Sequence, residues 1–578
     1  MTKRTASNRT ITSACSMIGV KQNAVTRLLE LMPSKASILR ALACGLFVLF
    51  PLWTGLSFAA EYHVAARNPS AGDSNPGTIE RPWKTLSKAN VSVQPGDTVF
   101  IHQGRYAESI APLASGEASQ PITYQAHKND RVVLDENPNF AACINLDSRS
   151  HIVVKGIKID RPGKNYPAYA QMVGSQHCVI EDCEFSGSTS AYHGVVMEED
   201  QDGRACMYNS FRNVSLQGCT GDIVLLRGDA HHNLFVNCSL SDNGSDRSHT
   251  NLMLHGMRPL GQSPRFNAFI QCVFSAVHHH GVNIAGGAHR NVFDGCILRN
   301  ANEDANAMQM AGSDNIFRHC LVIDNRGHLK LDDNTFSLYT TRDQFFERGG
   351  FYTYSTATGN RIYNNTFAGN LGYAVTSFYW PTDDDFPYHI GNNVFLNNIF
   401  AFNGRKRGNM EIYYNNTSGK ISGDVWANNL IGSKRGEEVI HLGTAIMSPV
   451  EAETGLSFAS FQRNIQGDPL FEDAAKGIYR LKPGSPCIDA GQHLTYTTAD
   501  GSGTVIPVKD ASFFFEGFGI TDGDLIVVGR NQPVRVTAVL DGQRLQVDRS
   551  IAWKASDPVS LPYKGKAPDI GAFEYEGK

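Results

Sequence analysis

Apolar and polar residues alternate with period two along most of the chain, in short runs broken by Gly, Asn and Asp. That spacing predicts short strands separated by turns, without helices in the repeating part. One arrangement recurs: Asn, any residue, an apolar residue, two of any kind, Cys or Asn, any residue, an apolar residue. Four consecutive copies are Asn233-Leu-Phe-Val-Asn-Cys238, Asn267-Ala-Phe-Ile-Gln-Cys272, Asn291-Val-Phe-Asp-Gly-Cys296 and Asn315-Ile-Phe-Arg-His-Cys320. Looser copies begin at Cys178, Asn209, Asn360, Asn393 and Asp424, so the anchors step by 31, 24, 34, 24, 24, 45, 33 and 31 residues. A unit of about 24 residues with insertions in some turns is the arithmetic of a solenoid. One such coil cannot bury its apolar face, whereas coils stacked about 4.8 Å apart bury a continuous inner column and pair their backbones in parallel sheets. The predicted class is all-β, a parallel solenoid.

The repeat assigns roles to its own residues. An Asn at a turn tolerates left-handed backbone and can hydrogen-bond the neighbouring coil, so the anchor Asn residues are expected to be scaffold. Cys183, Cys238, Cys272, Cys296 and Cys320 share one repeat position, where a small inward apolar side chain fits. Stacked side chains pointing the same way pair poorly as disulfides, so buried free thiols are expected. No CxxC or Cys/His cluster with ligand spacing marks a metal site.

Aligning coils on the anchor brings Val224-Leu-Leu-Arg227, Leu252-Met-Leu-His255, Val282-Asn-Ile-Ala285 and Met308-Gln-Met-Ala311 into one register. First and third residues point inward, leaving two outward columns: Leu225, Met253, Asn283, Gln309 and Arg227, His255, Ala285, Ala311. The turns feeding these strands carry His249, then His278-His279-His280, then Glu303-Asp304, and the next coil offers Lys330, Asp332 and Asp333.

Charge and targeting signals narrow the partners. Lys35 and Arg40 precede an apolar run from Ala41 to Leu52 and the small-residue pattern Ser57-Phe58-Ala59-Ala60, which reads as a signal peptide cleaved near Ala59. Met32, just before the basic segment, is the expected true start, and the mature protein is expected to be secreted or periplasmic, without membrane attachment and monomeric. Residues 1 to 59 hold seven Lys/Arg and one Asp/Glu, which leaves 45 basic against 55 acidic residues, a net of −10. With that balance and no basic run, nucleic acid is not an expected partner.

The opening Tyr62-His-Val-Ala, Asn75-Pro-Gly-Thr, Pro82-Trp-Lys-Thr-Leu and Pro95-Gly-Asp-Thr-Val-Phe-Ile resembles the first coil of the right-handed parallel β-helix carbohydrate-active proteins. The end, Gly467-Asp-Pro-Leu-Phe, Leu481-Lys-Pro-Gly-Ser-Pro-Cys-Ile-Asp-Ala-Gly491 and Asp569-Ile-Gly-Ala-Phe-Glu574, is similar to the last coil and cap of bacterial exported members. The resemblance implies a right-handed parallel β-helix over 61–491, after an N-terminal extension and signal peptide over 1–60. A small inserted β-barrel or sandwich over 492–566, signalled by Val534-Arg-Val-Thr-Ala-Val-Leu and the turn Asp541-Gly542, precedes a returning strand over 567–578.

The same resemblance implies work on a polysaccharide and leaves the reaction open. Lyases that cleave uronic-acid glycans by β-elimination stand first. Glycoside hydrolases and C5-epimerases share the fold, and so do non-catalytic glycan-binding and cell-surface proteins. Arg227, His255, His280, Glu303 and Asp304 are the expected acid/base groups, with Arg227 or a Ca²⁺ ion held by Glu303 and Asp304 neutralising a sugar carboxylate. His279, Asn283, Gln309, Lys330, Asp332, Tyr379 and Trp380 are the expected substrate contacts.

Overall fold

The computed structural model describes residues 59–135, 142–160, 168–187, 192–242, 249–256, 262–301, 306–326, 334–344, 352–378, 390–416 and 419–577. The signal-peptide segment therefore lies outside the described residues. Among the described residues three long sheets of 14, 12 and 13 strands run through the molecule, with parallel neighbours coming from successive coils, and only the third includes antiparallel strands, the two at Tyr352–Thr356 and Ala445–Met447. The first extends from Glu61–Val64 to Ala459–Gln462, the second from Gly104–Tyr106 to Leu430–Ile431, the third from Ala142–Asn145 to Ile440–Leu442. This is the parallel solenoid that the period-two pattern and the stepping anchors predict.

Like stacks on like inside it. Phe235, Phe269, Phe293 and Phe317 pair in register on the first sheet and are fully buried, with ring centroids 5.1, 4.8 and 6.2 Å apart along the row. The ten described cysteines are free and buried. Burial pushes the Cys183 thiol up to about 12, consistent with a packing role.

The anchor residues form a hydrogen-bonded ladder. The backbone N–H of Asn209 donates to the Oδ1 of Asn233, and the step repeats from Asn233 to Asn267, Asn291, Asn315, Asn360, Asn393 and finally Asp424. A second ladder runs Asn325, Asn370, Asn403, Glu411, and a third Asn365, Asn398, Asn429, Asn464. Each rung satisfies a buried donor that water cannot reach. Left-handed backbone falls elsewhere, just before the anchor and four residues after it, on residues as varied as His232, Phe266, Asn237 and Gln271. Ladder and turn are thus separate jobs, and only the ladder requires Asn.

Two short helices depart from the strand-and-turn expectation, and both lie toward the ends of the solenoid. Leu86–Ser92 is capped by Thr85, whose side chain accepts from the Lys88 N–H, and buries Leu86 and Ala89 against the core. Pro449–Gly455 begins with a capping box between Ser448 and Glu451.

Two of the three outer faces are covered. A six-stranded sheet with antiparallel pairing, spanning Thr495–Tyr496 to Pro558–Ser560, packs Ile506, Phe513, Phe515, Ile526 and Val536 against Leu234, Ala268, Val292, Ile316 and Tyr363 of the first sheet. Its strands Val534–Asp541 and Arg544–Trp553 form a hairpin closed at Gly542 and Gln543. Phe471, Tyr479, Leu481, Cys487, Ile570 and Ala572 cover Leu321, Ile323, Ala368 and Ile399 of the second sheet. Neither apolar cluster includes an outward residue of the third sheet.

Candidate active site

The third sheet carries the outward columns in the register that the anchor alignment predicts. Leu225 pairs with Met253, Met253 with Asn283 and Asn283 with Gln309, while Arg227 pairs with His255 and His255 with Ala285. One and two coils earlier the Leu225 column continues to Val196 and Gln171. Gln171, Val196, Met253 and Asn283 are half-buried, while Leu225 and Gln309, with Ala285 and Ala311 of the second column, are buried and so do not face solvent as expected. A partly polar strip along adjacent coils suits an extended ligand lying across the strands.

At the C-terminal end of these strands sits a charged row. Val195, Val196 and Met197 pair with Val224, Leu225 and Leu226, which brings Glu198 beside Arg227. The Arg227 Nε donates to the Glu198 Oε2 at 2.6 Å, and Nη2 contacts the same oxygen. Both side chains keep solvent access, at 38% for Arg227 and 22% for Glu198. His255 follows Arg227 one coil on, half-buried. Behind the row, the Glu199 carboxylate accepts the Asp229 N–H, and Asp229 holds Arg265 at 2.6 Å. Burial raises the Glu199 carboxyl, with Asp229 and Glu198 adding like charge.

The N-terminal end carries a second cluster. Asp222 accepts the Thr250 N–H at 2.7 Å and its hydroxyl at 3.1 Å. His193 Nδ1 and His249 Nδ1 lie 3.9 and 3.8 Å from the Asp222 carboxylate, ion-pair separations rather than hydrogen bonds. His193 Nδ1 accepts the Asp222 backbone N–H at 3.1 Å, which makes this ring nitrogen the unprotonated one. Burial lowers the His193 imidazole, opposed by Asp222 and reinforced by His249 and Arg227. Tyr192, half-exposed, stands edge-on to both rings, with centroids 4.4 and 5.2 Å away.

These positions redistribute the expected residues. Arg227 and His255 come together. His280 pairs with Thr250, five residues before the row of His255 and Ala285, or roughly 16 Å along an extended strand. It is 3% exposed, with its ring 3.6 Å from that of His279, so the two belong to the opposite end of the strands from Arg227. Glu303, Asp304, Lys330, Asp332, Tyr379 and Trp380 lie outside the described residues. Glu198, Glu199, His193 and Asp222 were missed. Extending the anchor alignment one coil toward the N-terminus places Glu198 in the column of Arg227, a signal already present in the sequence.

Comparison with known proteins agrees with this architecture. Residues 62–219 match the family model for the Pel9A-like right-handed β-helix region. The uncharacterized protein YwoF of Bacillus subtilis is 31% identical over 97 residues, 16% of this chain and 21% of that protein. Alpha-1,3-galactosidase A of Akkermansia muciniphila is 36% identical over 77 residues, 13% of each chain. The chain thus matches no more than about a fifth of the length of these curated relatives. Among solved structures, pectate lyase Pel9A superposes with a TM-score of 0.42 and 14% identity over 90% of this chain and 98% of that one. The fold is a right-handed parallel β-helix, and residues 62–219 are similar to the Pel9A-like β-helix region.

Proposed function

We propose that the chain is an exported enzyme acting on a polysaccharide, and most simply a lyase that cleaves a uronic-acid-containing glycan by β-elimination. The row Glu198, Arg227 and His255, beside the half-buried strip Gln171, Val196, Met253 and Asn283, carries this reading. In β-elimination a cation neutralises the sugar carboxylate, which acidifies the proton on the adjacent carbon, and a base removes that proton as the glycosidic oxygen leaves. Arg227, oriented by Glu198, is placed for the first task, since a guanidinium held by one carboxylate still presents donors to another. His255, in the next coil, is placed for the second.

A second reading, hydrolysis, rests on Glu199. A carboxyl raised by burial suits a general acid, and Glu198 supplies a second carboxylate. The local match to a galactosidase lends this reading its only other support.

Incubating the full chain with polyuronides and with neutral glycans, in the presence of Ca²⁺ and of chelator, separates the two. Unsaturated uronate absorbance rising with new reducing ends supports the lyase. Reducing ends alone support the hydrolase. Silence in both readouts across the panel overturns both cleavage readings and leaves epimerisation or glycan binding.

A further inference from the structure

The first three strands of the first sheet carry a histidine cluster far from the row just described. His63 lies in the terminal strand Glu61–Val64, while His102 follows Thr98–Ile101 and His127 follows Ile122–Ala126. Parallel pairing of these strands puts Phe100 beside His63 and sets His102 and His127 one coil apart. The His102 and His127 rings stand 4.3 Å apart, and the His63 ring is 5.2 and 5.8 Å from them. One potential ligand atom from each of the three lies within 4.8 Å of the others, the only such group of three among the described residues. His63 Nδ1 and His102 Nε2 are 3.0 Å apart.

We infer that His63, His102 and His127 form a binding site for a zinc-class divalent transition metal, coordinated by three imidazoles and oriented by Asp130. Zn–N bonds of about 2.05 Å set tetrahedral ligand nitrogens roughly 3.3 Å apart. His63 Nδ1 and His102 Nε2, 3.0 Å apart, are already near that spacing, and the His127 nitrogen lies within 4.8 Å of the other two ligand atoms. Its ligand type fits the assignment, because imidazole nitrogen suits zinc and its neighbours whereas calcium takes oxygen. Asp130 supplies the outer support: its Oδ2 lies 3.4 Å from His102 Nδ1 and 3.5 Å from His127 Nδ1, and accepts the Gln103 N–H at 3.2 Å. A carboxylate on Nδ1 leaves Nε2 of each ring for the metal, which for His102 is the nitrogen facing His63. The pocket is also built: His63 is buried, the side chains of His102 and His127 are 23% and 18% exposed, and Phe100 packs against His63 and His127. The consequence is structural. The ion ties the terminal strand of a parallel sheet to the next two coils, at the edge where, among the described residues, no further strand pairs with it.

The test uses the full chain, dialysed free of metal, titrated with Co²⁺ as a spectroscopic probe and with Zn²⁺ in competition. One equivalent of Co²⁺ should give visible bands of a four-coordinate ion held by three imidazoles and a solvent water, discharged by Zn²⁺. Asp130→Asn keeps all three ligands and should weaken Zn²⁺ binding about 10- to 100-fold. His102→Ala should abolish the bands. Failure of the wild-type chain to bind stoichiometric Co²⁺ or Zn²⁺ overturns the assignment. So does unchanged affinity in either variant with an intact far-ultraviolet circular dichroism spectrum. If His102→Ala does not fold, the Asp130→Asn titration alone decides.

Discussion

Arg318 and Asp524, 206 residues apart in sequence, form a buried two-pronged ion pair, Nη1 to Oδ2 at 2.7 Å and Nη2 to Oδ1 at 2.6 Å. Arg318 belongs to a coil of the first sheet and Asp524 to the small sheet packed on it, at 4% and 5% side-chain exposure. Asp294 takes the remaining guanidinium edge at 3.0 and 2.8 Å, and Tyr363 accepts from Nη1 at 3.0 Å. The Arg318 charge overcomes the burial of Asp294 and holds its carboxyl far below the usual carboxylate range.

Removing Asp524 leaves two buried Arg318 donors without a carboxylate, while Asp294 still balances the charge. Asp524→Ala is expected to cost about 1.5 to 3 kcal/mol. Urea unfolding and limited proteolysis should both report it, with new cleavage sites inside 492–566. Unchanged protease resistance would show that the apolar contact alone holds the sheet.

The ladders predict a pH dependence. Burial raises Glu411 from 4.5 to about 8, and its carboxyl accepts from the Asn403 backbone and carboxamide. A raised carboxyl binds its proton more tightly in the folded state, so its contribution is complete below about pH 4.5 and is lost as pH rises through about 8. Stability should fall across that window by up to about 1.4 kcal/mol per pH unit. Glu411→Gln should flatten the slope in thermal unfolding followed against pH. Asp424, raised by burial to about 6, should add a smaller decline at lower pH.

Breaking a ladder in its middle should cost more than its size suggests. Asn291 accepts both the backbone N–H and the carboxamide of Asn267, and donates to Pro264 and His289 carbonyls. Asn291→Ala orphans buried partners worth about 1 to 3 kcal/mol each. Chemical denaturation should show the loss, and a variant within experimental error of wild type would mean water enters the ladder.

Arg227→Ala and His255→Ala should each lower turnover about 10²- to 10⁴-fold under the lyase reading, with little change in Tm. Glu199→Gln should leave a lyase active and silence a hydrolase. Rates on the polyuronide panel distinguish these outcomes, and full activity in Arg227→Ala would remove the row from the mechanism.

The solenoid was legible because its signal repeats: the anchor spacing alone recovers the pairing of Leu225 with Met253 and of Arg227 with His255. Assembly of a site was less legible, because turn residues were grouped with strand residues without counting along the strand. His280 lies only two coils on from Arg227 and yet stands at the opposite end of the strands. The histidine cluster escaped motif reading for a related reason. His63 and His102 are 39 residues apart, a separation no local ligand pattern contains. Only coil-to-coil register joins them.

The ladders have a direction. Apart from the step from Asn403 to Glu411, eight residues on in the same coil, each rung gives its backbone hydrogen to a side-chain oxygen of the coil ahead, so a middle unit must both receive and donate while the last need only receive. Two of the three arrays end on a carboxyl, Asp424 and Glu411, and the Asp424 carboxyl also receives the Tyr414 hydroxyl. A carboxyl in last place takes both the backbone hydrogen and the carboxamide hydrogen of the Asn behind it and has no carboxamide hydrogen of its own to pass on, so these two arrays run one way into their acids.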